Sequence, residues 1–283
     1  MRTDAVLCLG SHGFHRMHYY DWGDPQNPNV VICVHGLARN GRDFDFLAAA
    51  LADRFRVICP DVAGRGKSDW LENKTDYGYA QYRTDMTALI ARVTHGAEQK
   101  IAWIGTSMGA LLGILMAATP LNPIGKLVLN DAGTMVPKSA LERIAGYVGK
   151  DPRFAMLEDL ERNLRKYAQS FGPLSDTQWR HLALHGAKQH ADGQWGYSYD
   201  PAIGDSLQGP LQDVDLSAFW EKIEVPVLLL RGAESDVLLP ETARAMTASG
   251  PKAKLVEFAG VGHAPMLMSA DQIGVVQEFL LAE

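Results

Sequence analysis

Gly105-Thr106-Ser107-Met108-Gly109 lies between the apolar run Ile101-Ala102-Trp103-Ile104 and a strongly apolar stretch over 107–118. A serine hydroxyl is a poor nucleophile and must be presented where a base can take its proton. A strained turn from strand to helix does this by projecting the side chain above a sheet. Glycines two residues to either side suit the crowding of such a turn. The chemistry this pattern offers is attack on a carbonyl carbon. A serine that merely caps a helix between two glycines is the alternative, and the flanking strand and helix argue against it. Ala110 and Gly113 continue the small residues and suit a helix packed close to a sheet.

Two other segments could complete that chemistry. His35-Gly36-Leu37 directly follows the apolar run Val30–Val34. A tetrahedral intermediate carries its charge on one oxygen, and backbone N–H groups aimed at that oxygen stabilise it. Leu37 and Met108, the residue after the serine, are the expected donors, with His35 turned away as a structural residue. Gly262-His263-Ala264-Pro265 lies between the last strand and the last helix, where His263 can serve Ser107 as general base. The acid that orients His263 has three candidates. Asp236, in Arg231-Gly232-Ala233-Glu234-Ser235-Asp236, is the first choice; Asp131, after the strand 126–130, comes next, and then Glu234. If Asp131 is not the acid, it is a buried carboxylate capping loop N–H groups. His181, His185 and His190 match no familiar metal-ligand spacing, and no metal site is expected.

The elements that must position these residues alternate. Strands are expected near 5–9, 14–20, 30–34, 56–59, 101–104, 126–130, 225–230 and 254–258. Helices are expected over about 43–53, 79–95, 107–118, 240–248 and 270–281. Alternation of this kind implies parallel βαβ units with helices on both faces of an open sheet. Residues 134–222 break the rhythm: they contain helix-like pieces, three of the six tryptophans and no convincing buried strand. This segment reads as a mainly helical insertion over the C-terminal edge of the sheet, leaving 1–133 and 223–283 as the core.

The chain has 283 residues, 21% charged, with a net charge of −6 and no Lys/Arg-rich run. Neither a nucleic acid nor an anionic membrane is expected as partner. The three cysteines, Cys8, Cys33 and Cys59, have no metal-ligand spacing, and the latter two sit in apolar runs as small hydrophobes. Ala5–Leu9 is too short for a signal segment, and no window is apolar for long enough to span a membrane. The expected compartment is the cytoplasm.

Taken with the turn Asp61-Val62-Ala63-Gly64-Arg65-Gly66-Lys67-Ser68, these segments resemble the α/β-hydrolase superfamily in content and order, over residues 30–265. The resemblance implies the α/β-hydrolase fold, with an eight-stranded mostly parallel sheet and a cap after the sixth strand. It also implies no cofactor and a triad of Ser107, Asp236 and His263. The 61–68 turn would be structural. Serine at 107 excludes the alkyl-ester chemistry of haloalkane dehalogenases and epoxide hydrolases and implies an acyl-enzyme. The expected substrate is a small-to-medium ester or lactone. Alternatives are a C–C bond hydrolase, although the loop after His35-Gly36 lacks the extra glycines usual there, and a thioesterase, acyltransferase or perhydrolase. A non-enzymatic ligand-binding relative is the remote alternative, because no triad member is missing. Arg39 is expected either to pair with a substrate carboxylate or to form a salt bridge to Asp43 or Asp61. Trp195, Tyr197 and Tyr199 are expected to line the acyl pocket or to fill the insertion's own core.

Overall fold

Strands whose residues are all buried need no polar face, and a parallel sheet covered by helices on both sides is where such strands belong. In the computed structural model, which describes residues 1–96 and 98–282, three strands are of this kind. They are β3 (Val30–Val34), β4 (Arg56–Pro60) and β11 (Val227–Gly232). The other strands of the main sheet are β1 (Arg2–Gly10), β2 (Gly13–Trp22), β5 (Ile101–Thr106), β6 (Ile124–Asn130) and β12 (Lys254–Phe258). The order across the eight-stranded sheet is β1-β2-β4-β3-β5-β6-β11-β12. The first two strands pair antiparallel with each other, β2 pairs antiparallel with β4, and the rest run parallel.

Helices α1 (Asp45–Leu51) and α9 (Ala270–Leu281) cover one face, where Leu47, Leu51, Val276 and Leu280 pack on the sheet. On the other face lie α2 (Tyr79–Val93), α3 (Met108–Ala117) and α8 (Pro240–Ala248). All but one of the ten residues of α3 are buried. Full burial of a leucine or isoleucine stabilises by roughly 1.5–3 kcal/mol, so α3 is held by packing on both sides. Gly113 lets it approach the sheet: a Cβ there would stand 2.6 Å from Trp103 Nε1.

Between β6 and β11 the chain forms β7 (Met135–Val136), α4 (Lys138–Ala145), α5 (Leu157–Tyr167) and α6 (Asp176–Gly186). It continues through β8 (Ala187–Gln189), β9 (Trp195–Tyr197), β10 (Val214–Asp215) and α7 (Ser217–Trp220). Beside these helices stand four short strands that the sequence did not mark. They pair as β7–β10 and β8–β9, and at two or three residues each they are too short to leave an apolar run in the sequence. Leu160, Leu164, Trp179 and Leu182 of this segment cluster with Met266 and Met268, which follow β12. Among the described residues no helix is long and apolar enough to cross a membrane.

Candidate active site

Ser107 occupies the turn between β5 and α3 with φ 54° and ψ −115°, a conformation that L-residues rarely adopt. Holding it there costs about 1–3 kcal/mol, which the surrounding packing must supply. The glycine spacing follows from contact. A Cβ on Gly105 would stand 2.1 Å from Gly109 O, and one on Gly109 would stand 2.1 Å from Val34 O. Each glycine is thus the only residue type that leaves the turn its space.

His263 lies on the loop after β12, its side chain 10% exposed. Its Nε2 is 2.9 Å from Ser107 Oγ, and its Nδ1 is 2.8 Å from Asp131 Oδ2. A carboxylate only accepts, so Nδ1 carries the hydrogen and Nε2 presents its lone pair to the serine hydroxyl. Asp131 follows β6 with φ 56° and is wholly buried. Its Oδ1 accepts the Gly232 N–H at 2.8 Å, and its Oδ2 accepts the Ser235 hydroxyl at 2.6 Å. It therefore holds one loop N–H, the Ser235 hydroxyl and the His263 ring at once.

Asp236, the expected acid, is not the partner of His263. It is half exposed and pairs with Arg143 of α4, with Arg143 Nη2 donating to Oδ1 at 2.8 Å. The physical reason is its position. It lies four residues past the end of β11, where the chain has already turned outward, while Ser235 points inward to Asp131. The strand that borders β5 directly is β6, so its end is the nearer platform for the acid. Glu234 is exposed and meets the His263 loop only through its backbone, its N–H donating to Val261 O at 2.9 Å.

Leu37 follows β3, and a Cβ on Gly36 would lie 3.6 Å from Ser107 Cβ, which brings this loop against the serine. Among the described residues, neither the Leu37 nor the Met108 N–H donates to a protein acceptor. Arg65, buried in the 61–68 turn, connects the two. Its Nε donates to Leu37 O at 2.8 Å, its Nη2 lies 3.5 Å from Met108 Sδ, and its Nη1 donates to Tyr82 Oη at 2.8 Å. The sequence marked this turn as structural and offered no signal for that contact. His35 is turned to the backbone: Nδ1 donates to Gly36 O at 2.7 Å and Nε2 accepts the Val62 N–H at 2.9 Å. Burial keeps its imidazole neutral, with the pKa pushed down to about 3.

Ser107 and His263 open into a cavity walled by the loops of the main sheet and by residues of 134–222. Tyr197 and Tyr199 line it, with the Tyr197 hydroxyl donating to Asn163 Oδ1 at 2.8 Å. Trp195 does not line it and packs into the cluster around Leu160 and Trp179. Arg39 lines the cavity but is paired, its Nε 2.8 Å from Asp43 Oδ2. Burial works against the Arg39 charge, and Asp43 more than offsets that, leaving its pKa raised. Ser170, which no spacing in the sequence marks, clasps the base loop. Its Oγ donates to His263 O at 2.6 Å, and its carbonyl accepts the Gly262 N–H at 2.6 Å. The three histidines of the insertion do not meet. His181 and His185 stand edge to face at 4.5 Å, whereas His190 packs beside Gly196.

A parallel sheet with a serine on a glycine-flanked turn, and a histidine and an aspartate in line behind it, defines an α/β hydrolase. The chain belongs to that family: residues 31–274 match the alpha/beta hydrolase family. It is 44% identical to the 3-hydroxybutyrate-oligomer hydrolase of Cupriavidus necator over 98% of this chain and 97% of that protein. Among solved structures it is similar to a Rickettsia typhi protein, with TM-score 0.92 and 28% identity over 99% of both chains. An alpha/beta hydrolase from Novosphingobium aromaticivorans matches at TM-score 0.86 and 35% identity over 98% of both. The protein is an enzyme that acts on ester bonds.

Proposed function

We propose that this enzyme cleaves short linear esters of 3-hydroxybutyrate by an acyl-enzyme route, with Ser107 as nucleophile, His263 as base and Asp131 as its orienting acid. The observation that carries the reading is the unbroken hydrogen-bonded line from Ser107 Oγ through His263 to buried Asp131, at the floor of a cavity. The substrate comes from the likeness to the Cupriavidus necator enzyme.

Ser107 Oγ attacks the ester carbonyl as His263 Nε2 takes its proton, forming the C–O bond of a tetrahedral intermediate. The N–H groups of Leu37 and Met108 receive the oxyanion. As the intermediate collapses, the bond to the leaving alkoxide breaks and His263 returns the proton to it. Water, deprotonated by the same imidazole, then hydrolyses the acyl-serine and restores the hydroxyl. Asp131 fixes the imidazole tautomer throughout. Residues 134–222 act as a cap that walls the cavity, and Tyr197 serves as part of that wall. The substrate is a small molecule, and no cofactor enters any step.

The test is hydrolysis of a 3-hydroxybutyrate trimer followed by chromatography of the products, with fluorophosphonate labelling of the protein alongside. Wild-type enzyme releases monomer and dimer and takes up one label. Ser107→Ala does neither. Labelling of Ser107→Ala, or its undiminished hydrolysis of the trimer, refutes the nucleophile; an inert trimer beside a rapidly cleaved p-nitrophenyl butyrate refutes the substrate.

A further inference from the structure

The cavity wall is unevenly charged. The charged residues that line it are three cationic ones, Arg39, Arg143 and Lys150, and one acidic one, Asp43. Arg39 and Asp43 neutralise each other. That leaves Arg143, whose Nε and Nη2 are held by Asp236, and Lys150, both from the segment between β6 and β11, among the residues that line the space above Ser107. Lys150 makes no ion pair among the described residues. Arg143 shares its charge with Asp236, which is not among the residues lining the cavity, and Tyr147 lies on the same wall. Arg143 lies on α4, Tyr147 in the turn that continues it, and Lys150 just past Gly149, whose φ of 86° ends that turn.

A neutral ester has no use for two cations on this wall. A linear hydroxyacid ester ends in a hydroxyl at one end and a carboxylate at the other. Whichever ester bond Ser107 attacks, the acyl part runs toward the hydroxyl end and the leaving part always carries the carboxylate. We infer that Arg143, Tyr147 and Lys150 form a subsite for the free carboxylate of the leaving hydroxyacid, so that the enzyme works from the carboxyl end of its substrate. Arg143 Nη2 and Nε stay with Asp236, while its remaining donors and the Lys150 ammonium reach the substrate anion. Attraction of an anion into a partly enclosed, positively charged cleft also raises the rate of encounter, and salt weakens it.

This inference rests on the proposed substrate, and one comparison separates the two. The probe is a linear 3-hydroxybutyrate trimer offered as the free acid and as its terminal carboxamide, which differ only in charge at that end. Wild type is expected to favour the acid by about tenfold in kcat/KM, mostly through KM, and to lose that preference as salt rises. Arg143→Gln and Lys150→Gln should each cut the preference by about threefold, and the double variant should bring it near unity. Charge-retaining Lys150→Arg should keep it. Equal kcat/KM for acid and amide in wild type overturns the subsite and leaves the trimer reading standing. So does a preference that survives in the double variant. Cleavage of neither trimer removes the substrate and the subsite together.

Discussion

Replacing Asp131 by Asn separates the two aspartates that the sequence offered as the acid. In the folded protein Asp131 Oδ1 is committed to the Gly232 N–H and Oδ2 to the Ser235 hydroxyl and His263 Nδ1. An asparagine must keep its carbonyl toward the Gly232 N–H, which cannot reverse its role. Its NH2 group then faces Ser235 and His263. The serine hydroxyl can rotate to accept, but the imidazole must move its hydrogen to Nε2. A protonated Nε2 cannot take the Ser107 proton, and restoring the productive tautomer means burying an N–H against an N–H. A wrong tautomer of this kind lowers kcat by about 10⁴-fold, or roughly 5.5 kcal/mol. Asp236→Asn removes only a half-exposed ion pair, worth at most about 1 kcal/mol of stability. Its kcat on p-nitrophenyl butyrate should stay within about threefold of wild type. The assay is initial rates on that ester, with circular dichroism to establish folding. Loss of activity in Asp236→Asn together with survival in folded Asp131→Asn would refute the placement of the acid just after β6.

Three further outcomes follow from the same structure. His35, its pKa lowered from about 6.5 to about 3 by burial, contributes stability that is present above pH 6.5 and lost as pH falls toward 3. Asp61, pushed up to about 6 by burial, works in the opposite sense between pH 4 and 6, so the effect is read as a difference between variants. His35→Gln should therefore narrow the gap between urea midpoints at pH 7 and pH 4.5, and an unchanged gap would contradict a buried neutral imidazole. Gly109→Ala forces a Cβ onto Val34 O and should cost about 2–4 kcal/mol with loss of fluorophosphonate labelling. Gly274→Ala on α9, with open space around it, should be neutral or stabilising by up to about 1 kcal/mol in urea unfolding.

The core strands were legible because burial on both faces leaves a continuous apolar run, as in Val30–Val34 and Val227–Leu230. The serine turn was legible because steric crowding permits only glycine at 105 and 109. The acid was not, because three carboxylates stood at strand ends and only the path of the chain past Gly232 decides which one points inward. That path is set by tertiary contacts of Ser235 and Arg143, which local spacing does not carry. The strands of the insertion were hidden by their brevity, and Trp195 by the ambiguity of an aromatic that can line a pocket or fill a core. Arg65 and Ser170 act through backbone carbonyls, a contact that no residue type announces.

The double hold of Ser170 on Gly262 and His263 gives the two parts of the chain a common fate. Any motion that lifts the stretch around Ser170 to admit substrate tugs on the loop that bears the imidazole. Under such a motion, substrate entry and the placing of the base would depend on the same two hydrogen bonds. Transplanting a relative's insertion to broaden substrate range would accordingly require a graft that brings its own grip on that loop.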